Sequence, residues 1–380
     1  MLSKMYLTNF LSFKRRTEFD FTASKYCILK QTNVNAKEIL KGTLFIGPNA
    51  SGKTNALKAL SLIVRLVKGE GDIPIVRYKC NFSDNPIITI EYEFVFDERI
   101  VNYVIDFNVN TRTIHENLKI DEQTVLLRNG NTGELRIGQN ETTDNQLDGN
   151  TIFLRTASFN TGRFPQEPTL RKLMDYLNNS YIIDGYNMSA TMAQTITKYA
   201  ADNGITKINQ YLDSFGYDFF VEYGSESEGA GLKISVGSED KVVFLKRKDY
   251  PVPNIIYYES QGNQVFTNIL PYLIQVIEAP GMLIIDEFGN SLHNKLAEKV
   301  IRYFMEKAGD SQLFITSQHT NLVSNSLFRP DQICLTTFQG IMGSMAVRLS
   351  QFKPREAQNL EKMYLGGMFE GLPIYEALQN

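Results

Sequence analysis

The run GPNASGKT at residues 47–54 constrains this chain more than any other stretch of it. It follows a short apolar segment, Thr43 to Ile46, which reads as a buried strand. It precedes Leu57, Leu60, Ile63, Val64 and Val67, whose helical spacing is stopped by Gly69. Strand, glycine-rich turn and helix in that order form a phosphate-binding loop. The glycines let backbone N–H groups face phosphate oxygens, and the helix presents its positive end. Lys53 adds a point charge, and the Thr54 hydroxyl is a ligand for Mg²⁺. A strand of this kind belongs inside a parallel sheet covered by helices, so the chain is expected to be α/β.

A second acidic motif, MLIIDEFGNSLH at 282–293, completes that chemistry. A carboxylate at the end of a buried strand is costly without a cation, which makes Asp286 the partner of Thr54 for Mg²⁺. Glu287 can then polarise an attacking water as general base. Two acids after an apolar run are by themselves also a common solvated strand end; the phosphate loop is what gives them a function. A third element, ESQGNQ at 259–264, precedes a helix interrupted by Pro271, which should bend it. Ser260 and Gly262 would make another anion site there, too far from the first loop to serve the same phosphate and suited to the nucleotide of a second subunit. Standing alone, the pair would be an ordinary helix cap.

Of the three histidines, His293 and His319 lie beside this chemistry, and His319 follows the apolar strand Leu313 to Thr316, where it could sense a γ-phosphate. A metal site built from His115, His293 and His319 is disfavoured, since no spacing places two of them on one helix face.

The remaining chain supplies a frame. Loose alternation from Lys4 to Phe21 gives two strands, and β-branched and aromatic runs between Ile87 and Leu135 give an antiparallel meander ending in an exposed loop or hairpin, 129–150. Helical spacing after Pro168 and again over 189–211 suggests an inserted helical subdomain, with ordinary core as the alternative, and Phe219 to Leu245 reads as a hairpin. The expected division is 1–160, a first lobe with the phosphate loop and meander; 161–217, the helical insertion; and 218–380, a second lobe. A net charge of −3, from 39 basic and 42 acidic residues, confines nucleic-acid contact to local patches. Cys27, Cys80 and Cys334 are too scattered for a disulfide framework or a zinc cluster. No apolar stretch reaches the ~20 residues of a membrane helix. Met1 leads into a strand rather than a signal peptide, so a cytoplasmic location is expected.

Taken together these motifs resemble the ATP-binding-cassette-type ATPases of the SMC, RecF and OLD group, and within it the RloA/AbiL-like ATPases of prokaryotic phage-defence systems. The resemblance is carried by LTNFLSFKR at 7–15, GPNASGKT, ESQGNQ, LIIDEFGNSLH, TSQHTNL at 316–322 and MYLGGMFEGLP at 363–373. It implies a head-to-tail dimer or higher oligomer in which the loop of one subunit and Ser260 of another enclose ATP. By position, the nucleotide set is Gly47, Asn49, Ala50, Ser51, Gly52, Lys53, Thr54 and Asn55, joined by Ser260 and Gly262. Thr54 and Asp286 hold Mg²⁺, Glu287 is the catalytic base, and Asn290 to His293 occupy the place where such dimers communicate. Asn9, Ser12 and Phe13 fall on the base or ribose side. The family's switch histidine aligns with Gln318 while the histidine itself is His319, so both are catalytic candidates and hydrolysis is expected to be slow. No glutamine for the lobe-joining loop occurs in FLRTASFNTG, 153–162.

OLD nucleases add a Toprim domain, for which the chain after His319 leaves no room and offers no Asp-x-Asp pair. The resemblance therefore implies an ATPase sensor or scaffold controlling a separate effector, a Toprim-type or RloB-like nuclease. A DNA-binding repair ATPase of the RecF or SMC kind is the first rival, resting on the basic triplets Lys14–Arg16 and Lys246–Lys248. A transporter's ATPase subunit is the second.

Overall fold

The computed structural model describes residues 1–70, 75–159, 162, 164–183, 193–250, 252–290 and 292–369. Its centre is a six-stranded sheet ordered Tyr181–Ile183, Met282–Ile285, Gln312–Thr316, Gly42–Ile46, Ile333–Phe338, Ser344–Arg348. The first five strands are parallel and the last is an antiparallel edge. The three middle strands are buried along their whole length, as expected where both sheet faces are covered. Alternate residues face opposite layers: Phe45, Ile284 and Phe314 enter one core, while Leu44, Ile46, Ile285 and Ile315 enter the other.

The first core is closed by an eight-stranded antiparallel sheet. Its order is Thr17–Asp20, Leu2–Thr8, Ile87–Phe96, Arg99–Asn108, Thr113–Ile120, Gln123–Asn129, Thr132–Ile137, Asn140–Asp144. Strict alternation along Ile87–Phe96 buries Ile88, Ile90, Tyr92, Phe94 and Phe96. Between the two sheets lies the helix Lys53–Lys68, and the Tyr92 hydroxyl donates to the Ala59 carbonyl within it at 2.7 Å. Buried Gln312 stitches the sheets together. Its amide donates to the carbonyls of Leu2 and Leu40 at 2.9 and 3.0 Å, and its oxygen accepts from Leu2 N and the Tyr176 hydroxyl. Each of these groups would otherwise be buried without a partner.

A buried ion pair fixes the far end of the meander. The Glu116 carboxylate accepts from Phe153 N at 2.6 Å, Leu154 N at 3.3 Å and the Tyr103 hydroxyl at 2.6 Å, and faces Arg128 at 3.3 Å. Arg128 also donates to the carbonyls of Gly130 and Asp148. Burial pushes the Glu116 carboxyl up, opposed by the Phe153 N–H, Tyr103 and Arg128. From this seat Arg155 reaches across to donate to Val67 O at 2.6 Å, capping the end of the Lys53–Lys68 helix.

The second core holds the helices Ala193–Asn203, Thr206–Ser214, Gln261–Glu278 and Asn294–Lys307, beside the small sheet Phe219–Gly224, Val242–Arg247, Asn254–Ile255. The helix Gln261–Glu278 runs through Pro271 without a break.

Several expectations change in detail. The stretch 161–217 is not one helical block. Its first helix, Pro168–Asn178, packs in the first core, Tyr181–Ile183 joins the central sheet, and the two later helices pack in the second core. Residues 189–192 of the expected second helix lie outside the described residues, and the rest is divided at Gly204, whose φ is 75°. The stretch 129–150 forms a hairpin that extends the meander. The Phe219–Leu245 segment carries an inner hairpin, Glu226–Gly229 with Leu232–Ser235. In the tail, Tyr364 and Phe369 are buried, while 370–373 lie outside the described residues.

Candidate functional site

Three neighbouring parallel strands end side by side, so Gly47, Asp286 and Ser317 leave the sheet at one edge. This is where open α/β sheets bind ligands. The loop is shaped by what stands behind it. At Gly47 a Cβ would meet the Thr336 carbonyl at 2.2 Å, and at Gly52, with φ 113°, the Ser344 hydroxyl at 2.7 Å. Only glycine fits either position. Ser51 Oγ bonds to Thr336 Oγ1 at 2.6 Å, anchoring the loop to the neighbouring strand. Asn49 and Ala50 form its exposed tip, with Ala50 at φ 62°.

Lys53 curls beneath this arch and donates to the carbonyls of Gly47 and Pro48, both at 2.8 Å. Burial pulls its ammonium below the usual lysine pKa, while Asp286 and Glu287 act the other way. Asn55, the third residue of the helix, donates to Ser12 Oγ at 2.8 Å.

The acidic strand delivers its carboxylates to the same place. Thr54 Oγ1 donates to Asp286 Oδ1 at 3.1 Å. The Thr316 hydroxyl donates to the same oxygen and accepts from Glu287 N at 2.7 Å. One buried threonine thus fixes the side chain of the first acid and the backbone of the second. Glu287 has φ 51°, a left-handed conformation that is unusual outside glycine. Its Oε2 accepts from Asn290 at 2.6 Å and its Oε1 from the Gln318 amide at 3.4 Å. His319 instead packs against Gly289, where a Cβ would lie 3.1 Å from its ring. His293 caps the helix Asn294–Lys307 through Nδ1, and Ser291 lies outside the described residues.

Thr54 and Asp286 present two hard oxygen ligands, which suits Mg²⁺ held jointly with phosphate oxygens. A cavity of about 290 Å³, lined by Thr54, Lys58, Ser61, Arg65, Ile183 and Asp286, opens beside them. Among the described residues no group of three or more His, Cys, Asp or Glu is placed to hold a metal, so His115, His293 and His319 stay apart.

Ser260 and Gly262 lie on the helix of the second core. Ser260 is exposed and caps its own helix, its hydroxyl accepting from Asn263 N at 3.4 Å. Among the described residues no hydrogen bond joins it to the loop. Two looser assignments need correction. Asn9 is buried and donates to the carbonyls of Asn85 and Ile87, and Phe13 is wholly buried, so neither can touch a base; Ser12 alone reaches the loop. Thr316 was visible in TSQHTNL without a role, because its partners belong to the adjacent strand.

Two solved structures share this fold. The "SMC head domain from Thermotoga maritima" matches with TM-score 0.51 and 14% identity, covering 91% of this chain and 98% of that one. The "Crystal structure of the SmcHead bound to the C-winged helix domain of ScpA" matches with TM-score 0.55 and 11% identity, covering 91% and 96%. The fold is that of an SMC head domain. No curated protein matches the sequence. Residues 43–324, which hold the loop, the acid pair and Gln318, match the family described as "AAA domain, putative AbiEii toxin, Type IV TA system", and the chain belongs to that family.

Proposed function

We propose that this protein is a Mg²⁺-dependent ATPase whose nucleotide-driven pairing with another copy of itself controls a separately encoded effector in antiphage defence. The observation that carries the catalytic part is the hydrogen-bonded set Thr54, Asp286 and Thr316, with Glu287 and Gln318 at its edge. In this reading the loop N–H groups and Lys53 take the phosphates, and bound Mg²⁺ would neutralise charge between them and Asp286. Glu287 accepts a proton from water at its carboxylate, and the Gln318 amide orients that carboxylate. Ser260 and Gly262 of a second copy close the triphosphate from the other side.

Defence rests on the family name's "TA system" and on the resemblance to RloA/AbiL-like ATPases; a Toprim-type or RloB-like nuclease is the effector that resemblance favours. The SMC head solved with a winged-helix domain supports a head of this fold docking a partner protein. Among the described residues no helix is long and apolar enough to cross a membrane, and we place the protein in the cytoplasm. Binding DNA through the basic triplets finds no support in their surroundings. Lys246, Arg247 and Lys248 face Glu222, Asp218 and Asp213, and Arg16 faces Glu91.

Turnover of ATP by the wild type, Lys53→Ala and Glu287→Gln tests the catalytic roles. Loss of binding is expected for the first variant, and binding without turnover for the second. Equal rates in all three would reject the assignment.

A further inference from the structure

The residue before Ser260 determines what an incoming phosphate meets. Glu259 folds its carboxylate back onto the start of the eighteen-residue helix Gln261–Glu278. Oε1 accepts from Asn254 Nδ2 at 2.9 Å; Oε2 accepts from Asn263 Nδ2 at 2.9 Å, Ser260 N at 3.4 Å and the Arg247 guanidinium at 3.4 Å. The side chain is only 8% exposed, whereas Ser260 next to it faces solvent. Burial would raise its pKa, but the amides of Asn254 and Asn263, Arg247 and the Ser260 N–H outweigh burial and hold it below the ordinary carboxylate value, so it stays charged.

The surrounding cations do not cancel that charge. Arg247 is shared with Asp218 at 3.3 Å, Lys246 is engaged by Glu222 at 2.9 Å and Lys248 by Asp213 at 2.9 Å. A helix N-terminus attracts anions, and here an internal anion already sits there. A triphosphate docking on Ser260 would therefore approach a fixed like charge across a partly desolvated gap.

We propose that Glu259 is an electrostatic brake on nucleotide-driven pairing: it weakens the docking of a second copy's ATP on Ser260 and so shortens the life of the paired state. The proposal rests on the reading that Ser260 serves the ATP of another copy. A purely structural cap predicts the reverse, since loosening the helix start would impair docking.

The test uses the full chain carrying Glu287→Gln to suppress turnover, with ATP and Mg²⁺, and measures self-association by sedimentation velocity. Glu259→Gln removes the charge and keeps one of the two acceptor oxygens, which can still take the hydrogen bonds of Asn263 and Ser260 N. It should tighten pairing about tenfold at low salt, and the gain should shrink as salt rises to about 0.5 M, where screening is short-ranged. Arg247→Gln, which leaves the carboxylate without its cation, should weaken pairing several-fold, and it carries the test if Glu259→Gln unfolds. Ser260→Arg should abolish pairing altogether. If pairing depends on Ser260 yet Glu259→Gln leaves it equal or weaker, the brake is overturned and the trans serine stands. If ATP induces no pairing, or Ser260→Arg does not affect it, the underlying reading fails and the brake with it.

Discussion

Thr316 shows how one hydroxyl can organise two acids. It donates to Asp286 and accepts from Glu287 N while almost wholly buried. Valine has the same shape without the hydroxyl, so Thr316→Val would leave an N–H and a carboxylate oxygen each short of a partner, at a cost of about 1–3 kcal/mol. Turnover should fall tenfold or more with ATP affinity little changed, because Lys53 and the loop are untouched, and Thr316→Ser should recover most of it. Steady-state rates beside nucleotide-binding isotherms would check this; a matched loss of both would mean that Thr316 only holds the fold. By the same geometry Gln318→Ala should cost more rate than His319→Ala, since the glutamine reaches Glu287 and the histidine packs on Gly289. Lys53, Thr54, Asp286 and Glu287 could be proposed from the sequence because each sits in a contiguous motif with its own chemistry, and folding brings Thr54 and Asp286 into hydrogen-bond contact. Thr316 could not be proposed, because its role exists only once strand register sets Ile285 opposite Ile315. Asn9 and Phe13 misled for a related reason: folding turns those two inward and leaves Ser12 beside Asn55.

The phosphate loop works as an element because its turns fit against the strands behind it. Gly52→Ala would place a methyl 2.7 Å from Ser344 Oγ at a φ of 113°. Both the turn and the first N–H groups of the helix must then shift, so ATP affinity should drop more than tenfold. Gly130→Ala is the matched control. That hairpin glycine has φ 61° with no atom within 4 Å of the added carbon, so it should cost about 1 kcal/mol in a thermal melt and leave nucleotide binding intact. A comparable affinity loss in both variants would contradict the packing account. The loop strand, its helix and the acidic strand were readable from their apolar runs and their glycine and proline boundaries. Others escaped, among them the central-sheet strands Ile333–Phe338 and Ser344–Arg348, where no strand is expected from the sequence, and Tyr181–Ile183, which is three residues long and joins the central sheet by pairing with Met282–Ile285. That short strand is also why 161–217 is split between two cores, which helical periodicity could not reveal.

At the scale of the whole chain, the site is assembled from segments far apart in sequence. Gly42–Ile46 pairs with Gln312–Thr316 on one side and Ile333–Phe338 on the other, and Gln312 ties Leu2 and Leu40 to the same sheet. Loop closure on this scale is costly before any contact forms, so the central sheet should form late and as a unit. The division into 1–160, 161–217 and 218–380 can therefore be tested by cutting the chain. A fragment of residues 1–160 keeps the whole phosphate loop but leaves Gly42–Ile46 without either neighbour, and it lacks Asp286. It should show no cooperative melting around the loop and no ATP binding, whereas co-expression with 161–380 should restore both. In the intact chain, ATP with Mg²⁺ at a hundredfold excess over Kd should stabilise by about 2.7 kcal/mol, visible as a rise in Tm that chelation removes in large part. That shift should appear in probes of both cores at once, because the ligand bridges strands whose alternate residues face each of them. If the 1–160 fragment alone melts cooperatively and binds ATP, the first lobe is an independent folding unit and the late, joint formation of the site is wrong.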